Sequence, residues 1–213
     1  MALAMIHRMR REGLRFAYTA FDGGYGHLPW LLTALDDERE VFLAEVHSNQ
    51  TIYLADPCPM IPERRTKKGK APSSPIAQTE PLMACHWAAQ QPASAWRRMA
   101  IREGEKGTVI AEYLTHRVWL WDGIAPKARC WHLVVRRELD GSKLKCCLSN
   151  AKSNVSLRQL SLMQGARHFV ERAFEEAKGC CGMADYQVRG WQAWHHHMAL
   201  VMVALMFLAK ERL

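Results

Sequence analysis

Two places in the sequence set acidic side chains where chemistry could use them. Asp22 stands where an apolar segment, residues 14–21, runs into the glycine-rich turn Asp22-Gly23-Gly24-Tyr25-Gly26, so its carboxylate would project from a sheet edge into a cleft. The second place is the row Arg167-x3-Glu171-x6-Lys178. At about 100° per residue, offsets of four and eleven bring these three side chains within roughly 40° of one another on one face of a helix. Ala166, Phe169, Val170, Ala173 and Ala177 fall on an adjoining apolar stripe, which would set the charged row at the border of the core. Each pattern also has an ordinary reading. Charges at such intervals usually form a solvated face with i, i+4 pairs, and Asp-Gly-Gly is usually a turn.

The elements that must position these groups follow from periodicity and punctuation. Leu3, Ile6 and Met9 predict a helix over 2–12 ended by Gly13, and residues 14–21 predict a strand. Pro29 suits the first turn of a helix whose apolar face is Leu31, Leu32 and Leu35. Strands are expected at 40–46 and 50–54. Residues 57–80 are rich in proline and carry the basic cluster RRTKKGK at 64–70, which reads as a loop or linker, with nonspecific DNA contact as the sharper alternative. From Trp96 the runs WRRMAIR, TVIAEYLTHRVWLW, CWHLVVRREL and KLKCCLS, separated by GEKG and DGSK, predict an antiparallel meander. Ser156 is the expected N-cap of a long helix through Lys178. A break at Gly179 and Gly182 and an apolar helix from Trp191 complete the chain, with 198–209 read as a buried helix.

Composition narrows the classes. With 213 residues, 49% of them hydrophobic, the chain has enough apolar material for a packed core. The net charge of +8 favours partners that carry phosphate or anionic surfaces. Seven cysteines are an odd number, and two adjacent pairs cannot make C-x-x-C zinc half-sites, so a reducing cytosol is expected. The N-terminus lacks the apolar core of a signal peptide, and the longest apolar run falls short of the ~20 residues a membrane span needs.

The ordered text resembles a known family. FDGGYG is similar to the D-x-G-Y-G element that carries the second catalytic Asp in insertion-sequence DDE transposases of the IS-four superfamily, especially the IS-seven-hundred-one-like branch. RHFVERAFEEAKGCCGMADYQVRGWQAWHHHMAL resembles that branch's C-terminal block, with R-x3-E-x6-K followed by Y-x-V-R-x-W and a His-rich apolar helix. WRRMAIREGEKG and the CLSNA at 147–151 are similar to family text as well.

The resemblance implies an α/β fold, a partial ribonuclease-H-like catalytic fold interrupted by a β-rich insertion. Residues 1–56 and 141–213 would form the catalytic portion, and 57–140 the linker and insertion. It implies DNA cleavage and strand transfer by two-metal phosphoryl transfer, with Mg²⁺ (Mn²⁺ as substitute) held by Asp22 and Glu171. Arg167, Lys178 and Tyr25 would contact DNA or its phosphates. Partners would be double-stranded transposon ends and a homodimer or full-length transposase, with no membrane, in the bacterial cytoplasm at the nucleoid.

Two departures stand out. Gln164 occupies the place where the wider superfamily often has Tyr, and residues 1–21 contain no Asp, whereas the family's first catalytic Asp lies upstream of the second. The expectation is therefore a truncated or split transposase with impaired catalysis. The competing expectation is an inactive DNA-binding or dimerising fragment that regulates a full-length relative. His195, His196 and His197, about 100° apart, cannot converge on one metal and read as a polar helix start beside half-buried Trp191 and Trp194. Trp119, Trp121 and Trp131 are expected in packing, with base stacking as the alternative for one of them.

Overall fold

The structure, a computed structural model, describes residues 1–63, 72–104, 107–141, 143–187 and 189–211, so the basic cluster 64–70 lies outside the described residues. The chain divides into two compact units, Met1–Gly165 and Ala166–Leu213.

The first unit is built on a mixed six-stranded sheet. In chain order its elements are α1 (Ala2–Arg11), β1 (Thr19–Phe21), α2 (Gly23–Gly26), α3 (Pro29–Asp37), β2 (Phe42–Val46), β3 (Thr51–Ile52), β4 (Leu82–Met83), α4 (Ala84–Ala89), β5 (Arg97–Gly104), β6 (Gly107–Leu120), β7 (Arg129–Arg137), β8 (Leu144–Ser149) and α5 (Leu157–Gly165). The sheet order is β1-β2-β8-β7-β6-β5, and β3 and β4 form a separate two-stranded ladder. β1 and β2 run parallel, with Phe21 opposite Ala44, and the crossover between them is α2 and α3. β8 joins β2 antiparallel, and the expected meander continues through β7, β6 and β5. The runs from Trp96 onward thus lie in the same sheet as β1 and β2.

Strand alternation sends successive side chains to opposite faces, and both faces are covered. Ala44, Leu114, Leu133, Val135 and Cys146 belong to a core shared with α1, α3 and α4. Leu43, Tyr113, Val134 and Cys147 point the other way, into a second core closed by Leu160 and Met163 of α5. The adjacent cysteines Cys146 and Cys147 are both buried because a doubly covered strand buries both of its faces.

Three local expectations change. The strand over 14–21 shrinks to Thr19–Phe21 because α1 holds the chain before it. Leu14 N donates to Met9 O (3.0 Å), Arg10 Nη2 donates to Phe16 O (3.0 Å), and the Arg10 guanidinium lies 3.7 Å over the Phe16 ring. The strand at 50–54 narrows to Thr51–Ile52. The long helix after Ser156 is two helices, α5 and α6 (Arg167–Cys180). Ser156 does cap it, accepting from Gln159 N at 3.1 Å. The interruption follows Gly165, a helix-weakening residue at which a Cβ would collide with Ile101 Cγ2 on β5.

The second unit contains α6 and α7 (Trp191–Glu211), joined by a loop that leaves α6 through Gly182 (φ 72°). Residues 198–209 are helical as expected but not buried. Of them only Val201 is buried, while Leu200, Val203, Met206 and Phe207 are exposed. Within this unit α7 packs against α6, and one neighbouring helix can cover only one stripe of a helix that is apolar all round. Of the stripe expected beside Glu171, Phe169 and Val170 are exposed and Ala177 is buried, so it is covered only in part. Among the described residues no helix is long and apolar enough to cross a membrane.

Candidate active site at the Asp22 turn

β1 ends at Phe21, whose buried ring anchors the strand, and the next residue opens α2. Asp22 is the N-cap of α2, with extended backbone (φ −80°, ψ 177°). Its Oδ1 accepts from Gly24 N (3.0 Å) and Tyr25 N (3.3 Å), as N-cap carboxylates do where helix amides lack intrahelical partners. This fixes the carboxyl group in orientation and leaves its second oxygen at the surface, because Asp22 is exposed. Tyr25 is also exposed, with its ring tilted against Phe21 at 6.1 Å. Gly26 is buried against β2, where a Cβ would overlap the Glu45 carbonyl oxygen, so only glycine lets the turn sit this close to the sheet.

A cavity of about 500 Å³ lies one turn further on. Gly26, His27, Pro29 and Leu32 form one side of it, and Leu120, Trp121, Lys127, Arg129 and Trp131 form the other. Asp22 does not line it. Trp131 is a core residue, packed edge-on to Phe42 at 5.1 Å, and Trp121 is tied by its Nε1–H to Ala125 O at 2.7 Å. Trp119 pairs through its backbone with Tyr53.

The opposite end of the β1–β2 pair, at the start of β2, contains a latch that sequence reading did not single out. Asn150 accepts from Phe42 N (2.9 Å) and donates to Asp36 Oδ1 (3.0 Å) and Glu40 O (3.0 Å). Arg129 clamps the same helix end, pairing with Asp36 (2.9 Å) and Asp37 (2.7 Å). The CLSNA text contained Asn150, but nothing in spacing marks an amide that joins α3, β2 and the end of β8.

In the second unit Arg167, Glu171 and Lys178 lie on α6 as expected. Arg167 Nη2 pairs with Glu171 Oε1 at 3.3 Å, an i, i+4 pair, with the carboxylate side chain 58% exposed. Glu171 and Lys178 are both exposed. The structure thus places Asp22 and Tyr25 in the first unit and Arg167, Glu171 and Lys178 in the second. Among the described residues there is no group of three or more His, Cys, Asp or Glu side chains arranged to hold a metal ion. His195 and His197 go to ring and backbone partners instead, His195 beside Trp191 and Trp194, and His197 at Gly182 O (3.0 Å).

The family model described as DDE superfamily endonuclease matches residues 1–108, from α1 to the start of β6. The chain belongs to the DDE endonuclease superfamily. A search of curated proteins found no match to it. Membership points to transposase-like nuclease function on DNA and to a ribonuclease-H-like fold, with which the mixed α/β sheet agrees. Endonucleases of this superfamily generally use divalent metal ions. The matched segment contains Asp22 and Tyr25, whereas Glu171 lies beyond it.

Proposed function

We propose that this DDE endonuclease acts as an insertion-sequence transposase of the IS-four superfamily, in the IS-seven-hundred-one-like branch, cutting and joining DNA at transposon ends. Asp22 carries this reading. Its carboxylate stands at the carboxyl end of a strand in a parallel pair, where open α/β sheets place their ligands, and it falls inside the segment that matches the superfamily.

The donor chemistry fits Mg²⁺, with Mn²⁺ as substitute. Asp22 offers an exposed, preoriented carboxylate oxygen to a hard cation that keeps several of its waters. In this reading Asp22 corresponds to the family's second carboxylate and Glu171 to its third. Bound ions of this kind supply activation of water or a 3′-hydroxyl and neutralise charge on the leaving oxygen. In the reaction an oxygen of water or of a DNA 3′-end forms a new bond to phosphorus, and the bond from phosphorus to the strand's 3′-oxygen breaks. Arg167 and Lys178 meet the phosphates flanking Glu171, and Tyr25 meets the strand beside Asp22. In this division, residues 1–56 and 141–213 form the catalytic portion, and 57–140 form an insertion that adds β5, β6 and β7 to the sheet.

A Mg²⁺-dependent nicking assay on DNA carrying transposon ends tests the reading. Nicking that disappears in both Asp22→Asn and Glu171→Gln supports it, and nicking that survives both substitutions overturns it. Salt-sensitive DNA binding with no nicking in the unsubstituted chain supports instead a noncatalytic DNA-binding or dimerising regulator.

A further inference from the structure

Two histidines stand at the end of the β1–β2 pair that carries Asp22. His27 follows α2 as its C-cap, and His47 follows Val46, the last residue of β2. The close backbone contact of Gly26 with the Glu45 carbonyl lies one residue before the first and two before the second, so it sets where both side chains begin. Beyond β2 the chain turns at once, with Gln50 N donating to His47 O at 3.0 Å. The two imidazole centroids are 6.4 Å apart with the ring planes tilted by 44°, and both residues are exposed.

The His27 ring is oriented as a ligand would be. Its Nδ1 lies 2.8 Å from Gly23 O. A carbonyl can only accept, so the proton sits on Nδ1 and the neutral ring keeps a lone pair on Nε2. Histidines that bind metal through one nitrogen commonly donate from the other to a carbonyl, which holds the ring and raises its basicity. His47 makes no side-chain hydrogen bond among the described residues, so its ring nitrogens are uncommitted. Two imidazoles that share an ion at ~2.0–2.1 Å from each nitrogen have centroids about 5–6 Å apart, which a small side-chain rotation reaches from the observed spacing.

The run at 195–197 offers no such pair. His195 is packed edge-on to Trp191 and Trp194, and His197 is bound to Gly182 O. Trp191 itself is 71% exposed, contrary to the half-buried helix start expected from sequence.

We propose that His27 and His47 together bind a borderline divalent transition metal of the Zn²⁺ class, with water at the remaining positions. The ion bridges the Asp22 turn to the end of β2. Imidazole nitrogen suits Zn²⁺, Cu²⁺ and Ni²⁺, whereas Mg²⁺ takes oxygen donors. The site is therefore distinct in chemistry from the one proposed at Asp22, and it stands whether or not the chain cuts DNA.

The test is NMR of the full chain carrying ¹⁵N in its histidine rings, titrated with Zn²⁺ and separately with Mg²⁺. The His27 and His47 signals, assigned through His27→Gln and His47→Gln, are expected to move together over one range of Zn²⁺ concentration and to ignore Mg²⁺. Removing either ring is expected to weaken the response of the other on the order of ten-fold or more. His47 has no hydrogen bond to lose, so His47→Gln carries the test even where His27→Gln disturbs the turn, and circular dichroism verifies folding. A His27 response unchanged in His47→Gln overturns the proposal, because it shows one ring binding alone. Equal movement with Mg²⁺ overturns it too, as does stillness of both signals at Zn²⁺ concentrations that shift those of the 195–197 run.

Discussion

Gly26 and Glu45 touch backbone to backbone: the α-carbon of Gly26 faces the Glu45 carbonyl oxygen so closely that no side chain fits between them. This contact seats the Asp22 turn on β2. Gly26→Ala is therefore expected to destabilise the first unit by about 1–3 kcal/mol, the usual cost of overpacking. A urea midpoint lowered without a change in slope would show it, and a variant as stable as the parent would mean that the turn does not sit against the sheet.

Asp22 has two roles that substitution can separate. As an N-cap it is replaceable by Asn, whose side-chain oxygen also accepts from Gly24 N and Tyr25 N, so Asp22→Asn should keep its thermal midpoint. Asp22→Ala should lose about 1 kcal/mol. If the proposed function is right, both variants lose Mg²⁺-dependent nicking equally. An Asn variant that nicks like the parent would reduce Asp22 to a cap.

Asn150 bonds to a β2 amide, an α3 carboxylate and the carbonyl between them. Asn150→Ala leaves the Phe42 amide without that partner and is expected to cost about 1–3 kcal/mol. Asn150→Asp places a carboxylate against Asp36 and should cost more at neutral pH, with partial recovery on acidification as one of the two acids is protonated. Denaturant titrations at two pH values distinguish these outcomes, and equal stability of Ala and Asp at neutral pH would contradict the geometry.

Stability should depend on pH at both ends of the range. Burial pushes the thiols of Cys146 and Cys147 up to about 12 and the Tyr113 phenol up to about 12. For groups raised in the folded state, the contribution is full below their ordinary values of 9.0 and 10.0 and is lost as pH rises toward about 12. His132 moves the other way, held below 6.5 mainly by burial, with its Nε2–H donated to Lys152 O. Its contribution is present above 6.5 and lost as pH falls through the depressed value. Thermal midpoints against pH should show both limbs, and His132→Gln should flatten the acid one. Thiol labelling of the native chain should reach the exposed Cys58 and Cys180 while sparing Cys146 and Cys147.

Much of the local structure was legible because local rules govern it. Gly13 ends α1 with φ 83°, Pro29 starts α3, Ser156 caps α5, and the alternating runs after Trp96 pair in the expected meander. The errors have physical causes of longer range. Residues 14–18 have strand-like composition but answer to Arg10 of α1, and the helix after Ser156 is interrupted after Gly165, which lies against the Ile101 side chain of β5. The apolar run 198–209 signalled helix correctly and burial wrongly, since hydrophobicity states what a residue would gain by burial and not whether its unit has surface to cover it.

By itself the sequence determined the identity and order of the chemical groups: an acid before a glycine turn, an Arg-Glu-Lys row on one helix face, and an excess of positive charge. Tertiary structure alone decided which of these groups are held. Asp22 is oriented by two amides and by the close seat of Gly26, while Glu171 stands exposed on α6 with Arg167 as its ion-pair partner. It also decided that Trp191 faces water and Trp131 faces Phe42. Spacing along a chain fixes direction within one helix or strand. Exposure depends on contacts between residues far apart in sequence, which no local pattern encodes.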